Sequence, residues 1–572
     1  MLFVKYKDLH MKLRLILFVL AVFLKMSTWS QTQDVPKGWH LMDPQKDGYQ
    51  GINLDKAYDF LRSHNLKGKT VIVAAIDSGI DTTHEDLKSI LWTNPGEIPG
   101  NGIDDDKNGY IDDIHGWNFA GGRDGRNVKD NSAETVRFYY QYKDKFSNLS
   151  DSASLGKEDK ELYAMWKKAK EDVGVIDPEK YLNLMLLKSV FNDASGADTI
   201  IKKALNKEDY SGKEVRDMKP ADINEKNARE KVLRLYFGLQ PAVDLNDSSK
   251  ELYDELREQI ESEEKKIEAK RTAPKDVRAE IVKDNYNDFN DRFYGNQDVM
   301  ANTAMHGTHV CGIIGASREN GLGCKGVADN VKVMMIRAIP DGDEYDKDVA
   351  LSIRYAVDNG AQIINMSFGK YLSPQKQWVD DAVRYAESKG VLLVAAAGNE
   401  KKDVDTLPHY PNPYLKSDGR KVNNWITVGA SGDPQIGGLV ASFSNYGKKD
   451  VDVFAPGVKI YSSVPGGNTY SSLSGTSMAS PVVAGLAALI LEYFPTLSAE
   501  QIKYAIEKSV TKTDTKVKDP ATQETVSMSD LCKTGGIVNA YDAVKLASSL
   551  KGERTNQPAK TTRSTVNQKS KE

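Results

Sequence analysis

Short runs of apolar, β-branched residues alternate with helical patterns along this chain, and that alternation limits the possible folds more than any other feature. Residues 70–76 read Thr-Val-Ile-Val-Ala-Ala-Ile, and further runs cover 331–336, 362–366, 391–396 and 425–428. Each is apolar at nearly every position and so reads as a strand buried on both faces, the condition that parallel sheets impose. Amphipathic helical patterns fill 346–357 and 375–388 between them. The expected fold class is α/β, a doubly wound, mostly parallel sheet. A chain of 572 residues with 40% hydrophobic content has material for one large core and room for an additional module.

Sheets of this kind place their functional groups where strands end. The first run stops at Asp77-Ser78-Gly79, the third at Ser367-Phe368-Gly369, and the fourth at Ala396-Ala397-Gly398-Asn399. Two helices also begin with reactive side chains. His306 opens the small-residue stretch 306–316, and Ser477 lies in Gly475-Thr476-Ser477-Met478-Ala479-Ser480-Pro481, ahead of an apolar series to Leu491. Pro481 is expected in the first turn of that helix, where a missing N–H costs least. A helix start also offers free amide donors to a developing oxyanion. Each feature alone has a plainer reading: Asp77 as a turn residue, His306 as a structural histidine, and the serine run as a loop capping a core helix.

An acidic loop spans 101–113. Asp104, Asp106, Asn108 and Asp112, with Tyr110 contributing at the seventh position and Gly109 at the turn, match the spacing of a calcium loop, and Ca2+ is the expected structural cofactor. Position twelve is His115 where an EF-hand needs a bidentate Glu, so the loop is not an EF-hand. A solvated Asp/Asn/Gly turn is the alternative.

Residues 125–296 change character. They are dense in Lys, Glu and Asp, with Leu162, Met165, Trp166 and Ala169 on one helical face and Leu252, Leu256, Ile260 and Ile267 on another. This stretch reads as an all-helical insert that carries no chemistry. Residues 1–30 hold Lys5, Lys7, Lys12 and Arg14 before an apolar run at 15–24, the pattern of a signal peptide, with an uncleaved anchor as the competing reading. The expected location is therefore exported, extracellular or periplasmic. Residues 551–572 are nearly free of apolar side chains and read as a disordered tail. The parts between, 31–124 and 297–550, form the body. A formal charge of −4 gives no reason to expect nucleic acid as a partner, and three cysteines allow at most one bridge.

Taken together, Ala75-Ile76-Asp77-Ser78-Gly79, His306-Gly307-Thr308-His309, Ala396-Ala397-Gly398-Asn399 and Gly475–Pro481 resemble the motifs of the subtilisin-like serine proteases, in the Asp, His, Ser order known for subtilisin. The resemblance covers about residues 51–550 apart from the insert. It implies a secreted serine endopeptidase with Ser477 as nucleophile, His306 as general base, Asp77 as its orienting carboxylate and Asn399 as oxyanion donor. Ser367, Phe368 and Gly369 would pair with an extended protein or peptide substrate, and Ala397, Gly398 and His409 would line the primary specificity pocket. His409 stands where the family usually has a small residue, which puts a preference for large apolar side chains in doubt. A catalytically silent scaffold that binds through the insert is the alternative function. Asp77 and His306 are 229 positions apart, far more than in short subtilases, and the insert accounts for the difference. The space before the body, about 20 to 30 residues beyond a signal peptide, is too short for the family's inhibitory propeptide. A monomer is expected.

Overall fold

The computed structural model describes residues 35–554, apart from 150, 175–177, 240–242, 244 and 303; the expected signal peptide and all but the first four residues of the tail lie outside the described residues. Nine strands form the central sheet: β1 (Val71–Asp77), β2 (Gly116–Asn118), β3 (Val331–Arg337), β4 (Ile363–Met366), β5 (Leu392–Ala396), β6 (Trp425–Ser431), β7 (Val453–Pro456), β8 (Thr511–Lys512) and β9 (Gly536–Ile537). Their spatial order is β8-β9-β7-β6-β5-β4-β1-β3-β2. Every pairing is parallel except β8 with β9. This is the doubly wound α/β sheet read from the sequence. The four short strands β2, β7, β8 and β9 extend it beyond the five apolar runs.

The strands bury both faces, as their composition requires. Val71, Val73 and Ala75 of β1 point to one face, where they meet Val310 and Ile314 of the helix at Met305–Gly315 and the apolar helix Thr476–Tyr493. Ala74 and Ile76 point to the other, where they meet Val349, Ile353, Val379 and Val383 of the helices Asp346–Asp358 and Lys376–Ser388. Among the described residues one helix, Thr476–Tyr493, is long and apolar enough to cross a membrane, and it lies buried in this core.

The charged middle segment contains long helices, including Glu134–Phe146, Lys157–Gly174, Pro178–Leu205, Ile223–Gly238 and Ser249–Ala269. They build two small cores of their own. Phe138, Phe146, Tyr163 and Trp166 form one, around Leu372 of the body. Leu184, Phe191, Val232, Tyr236 and Leu256 belong to the other. The two ends of the segment behave differently, because Val128, Val282 and Tyr294 pack directly under the sheet. All three cysteines are buried and unbridged.

Candidate active site

The site lies at the carboxyl ends of the adjacent strands β5, β4 and β1. Asp77 is the last residue of β1 and is almost fully buried. Its Oδ1 contacts His306 Nδ1 at 2.7 Å and also accepts the Ser78 N–H at 2.7 Å. His306 is the second residue of its helix, half-buried, with Nδ1 engaged by Asp77. Burial opposes protonation of His306, but the Asp77 carboxylate outweighs it and holds the imidazole pKa above the usual 6.5. The neighbouring His309 shows the opposite balance. It is buried with Nε2 near the Ser471 carbonyl and no carboxylate partner, and its pKa falls to about 3.

Ser477 is the second residue of the buried helix Thr476–Tyr493. Its hydroxyl donates to the Ser367 carbonyl at 3.1 Å, a resting position beside the first residue after β4. Pro481 is the sixth residue of this helix, not part of its first turn as expected from the sequence, because the helix begins at Thr476. The N–H that Pro481 lacks would have bonded the carbonyl four residues back, that of Ser477. The Ser367 hydroxyl fills that gap, donating to the Ser477 carbonyl at 2.9 Å.

Asn399 follows β5 and is exposed at the sheet edge. Its Oδ1 accepts the Thr476 N–H at 2.9 Å and the Thr476 hydroxyl at 3.0 Å, which fixes the amide and leaves Nδ2 as the outward donor beside the nucleophile helix. Gly398 makes this turn with φ +101°, and a Cβ there would lie 2.3 Å from Asn445 Nδ2. The set can therefore supply a hydroxyl, an oriented imidazole and an amide donor at one edge of the sheet.

The expected substrate-binding residues also converge on this edge. Ser367, Phe368 and Gly369 leave β4, and the His409 ring lies against Gly369 so closely that a Cβ there would fall 2.0 Å from its Cε1. Tyr371 packs edge-on to His409 with ring centroids 5.3 Å apart, and burial lowers the His409 pKa, so its imidazole is neutral near pH 7. Ala397 is buried behind Gly398.

The acidic loop is wired differently from its spacing. Both Asp112 oxygens accept backbone N–H groups of Gly100, Asn101 and Gly102, and both Asp104 oxygens accept those of Asn108 and Gly109. The carboxylates that converge, with oxygens within 4.8 Å of one another, are Glu97, Asp106 and Asp113. Asn108 donates its amide to Asp106 and Asp113, while the Tyr110 ring packs between Trp117, Phe119, Phe293 and Tyr355. Burial pushes Asp113 up to about 7. Glu97 and Asp113 escaped the sequence reading because one lies outside the loop and the other is one position off its register.

Residues 68–527 match the model of the subtilase family. The thermophilic serine proteinase of Bacillus sp. (strain AK1) is 40% identical over 226 residues, 39% of this chain and 50% of its own length. Subtilisin DY of Bacillus licheniformis is 41% identical over 36% of this chain and 70% of its own, and thermitase of Thermoactinomyces vulgaris is 38% identical over 44% of this chain and 79% of its own. The chain thus spans half of the first of these relatives and more than two thirds of the other two. With the family model covering most of its length, the chain belongs to the subtilase family of serine endopeptidases.

Proposed function

We propose that this chain is an exported endopeptidase that hydrolyses peptide bonds in proteins through Asp77, His306 and Ser477, with Asn399 as oxyanion donor. The observation that carries the reading is the 2.7 Å contact between buried Asp77 and His306 Nδ1 beside the nucleophile helix. Asp77 orients the imidazole and stabilises its charged form. His306 Nε2 takes the Ser477 proton as Oγ attacks the scissile carbonyl, then returns it to the leaving amine. The Asn399 Nδ2 and the Ser477 N–H hold the oxyanion, and water releases the acyl group by the same route. An extended substrate adds as a strand beside 367–369, and its side chain enters the pocket bounded by Ala397, Gly398 and His409. The His409 ring, packed against Gly369 and Tyr371, takes up room on that side, which favours small side chains over large apolar ones.

Labelling of the full chain by a fluorophosphonate, lost in Ser477→Ala, is the expected result. No labelling of the folded wild type would leave the silent scaffold standing in its place.

A calcium ion at Glu97, Asp106 and Asp113 accompanies this reading, with Asp104, Asn108, Tyr110 and Asp112 shaping the loop around it. Converging hard oxygen donors suit Ca2+, which would neutralise their repulsion and brace the loop beneath β2 and β3.

A further inference from the structure

Lys370 follows the substrate-binding residues and is 3% exposed, an unusual place for a lysine. Its three ammonium protons go to three different partners: Glu134 Oε2 at 2.8 Å, the Glu344 carbonyl at 2.8 Å and Asp346 Oδ1 at 2.9 Å. Its backbone exchanges two further bonds with Tyr410, N–H to carbonyl at 2.9 Å and the reverse at 2.8 Å. One residue therefore joins its own segment, the segment carrying His409, the segment after β3 and the first long helix of the insert. Arg137 of that helix doubles the attachment. It donates to Glu134 Oε2 at 2.8 Å, to the Asp343 carbonyl at 3.0 Å and to the Glu344 carbonyl at 3.1 Å, and its guanidinium lies 4.2 Å from the Tyr345 ring centre. The chain leading into the helix pairs with the same edge, Asn131 N–H to the Asp341 carbonyl at 2.6 Å and Asp341 N–H to the Lys129 carbonyl at 2.8 Å.

We propose that Glu134, Arg137 and Lys370 are positioning residues for substrate, through which the insert holds the 367–370 segment in place against the segment after β3. The inference rests on the cleft assigned under the proposed function. An apolar contact between insert and body would tolerate sliding. An ammonium whose three protons are shared between the insert helix and the segment after β3 does not, because displacement leaves a buried charge without a partner. The insert then forms part of the cleft wall. It acts on substrates long enough to pair with 367–370 and not on the bond-breaking groups.

The test compares two substrates in the full chain: an acetylated single-residue ester, which needs only the nucleophile, base and oxyanion donors, and a peptide with four residues before the scissile bond. Lys370→Met and Glu134→Gln are expected to lower kcat/KM for the long peptide by about 10-fold or more, mainly through KM, while ester turnover stays within about 3-fold. Should Lys370→Met fail to fold, Glu134→Gln, which keeps the shape and removes only the charge, carries the test. Equal losses on both substrates, or an unchanged long-peptide KM in folded Glu134→Gln, would overturn the proposal. A wild type that cleaves neither substrate would instead reject the proposed function itself.

Discussion

The body and the insert keep their interiors dry by different means. In the body, the sheet presents two apolar faces, and the helix Thr476–Tyr493 has a single charged residue, Glu492 near its end. Its side chains join one continuous core extending from Val35 to Ala547. The insert divides its apolar residues between two small clusters and leaves Leu182, Met185 and Leu186 on the surface. Between the two regions apolar contacts, with Val128, Val282 and Tyr294 under the sheet and Leu372 in the insert's aromatic cluster, are joined by buried ion pairs. Besides Lys370, Arg278 of the insert pairs with Asp348 of the body and Asp284 of the insert with Lys347 of the body, both at 2.7 Å and buried. Breaking such pairs costs more than forming them gains, so they specify geometry better than they supply stability. A protein built this way has a body that can hold a site by itself and an insert whose position depends on charge.

That contrast can be broken or sharpened by experiment, beginning with the largest expected effect. Ser477→Ala should remove activity by about 10⁶-fold in kcat, the loss known for the subtilisin serine, without moving the melting temperature, since the hydroxyl's loss empties no core. A large thermal shift would show that the site is not separable from the body's packing. Asn399→Ala should cost about 10²–10³ in kcat, the size known for the corresponding subtilisin amide, and an unaltered rate would remove it from the oxyanion site.

Next come the two cores. Leu489→Ala and Leu256→Ala each delete a buried leucine, worth about 2–5 kcal/mol. In calorimetry the first should lower the transition at which activity disappears, the second a distinct transition of the insert. A single shared transition in both variants would mean that the insert and body unfold as one unit, and the contrast would fail.

The charged junction predicts a pH effect. Burial pushes Glu344 up to about 8, above its ordinary 4.5, so the folded chain keeps a proton that the unfolded chain releases. The group costs nothing below 4.5, and between 4.5 and 8 its contribution falls by about 1.4 kcal/mol per pH unit. Glu344→Gln should therefore gain stability relative to wild type as pH rises from 5 to 8, measured by urea unfolding; parallel curves would contradict a protonated Glu344. His306 gives the corresponding kinetic effect. Its raised pKa places the acid limb of kcat/KM above pH 6.5, and Asp77→Asn should move that limb downward. The smallest expected effect is that of a chelator, a drop of a few degrees in melting temperature, with no drop removing calcium from the account.

The sheet was legible because buried parallel strands are apolar at consecutive positions, Asp77 and Asn399 because they stand just after such runs, and His306 and Ser477 because each opens a stretch of small residues. The short strands Gly116–Asn118 and Gly536–Ile537 carry too few residues to show a pattern. Pro481 was misplaced because Thr476 and Ser477 look like loop residues in sequence, while in the fold they already form the first turn. The segment 125–296 reads as one helical block because charge density hides that Val128, Val282 and Tyr294 turn inward under the sheet. Lys370 and Glu134 were invisible for a related reason: charged side chains read as surface until a partner on a distant segment is brought beside them.

The exchange between Ser367 and Ser477 has a mechanical meaning. Each hydroxyl bonds the other residue's carbonyl, at 2.9 and 3.1 Å, so the strand end that would grip a peptide is latched to the first turn of the nucleophile helix. One half of the latch depends on the Ser477 hydroxyl and would open in the proposed transfer of its proton to His306. The other half, secured by the proline's missing donor, stays shut. The end of β4 and the first turn of the helix Thr476–Tyr493 are thus pinned to each other at a single point.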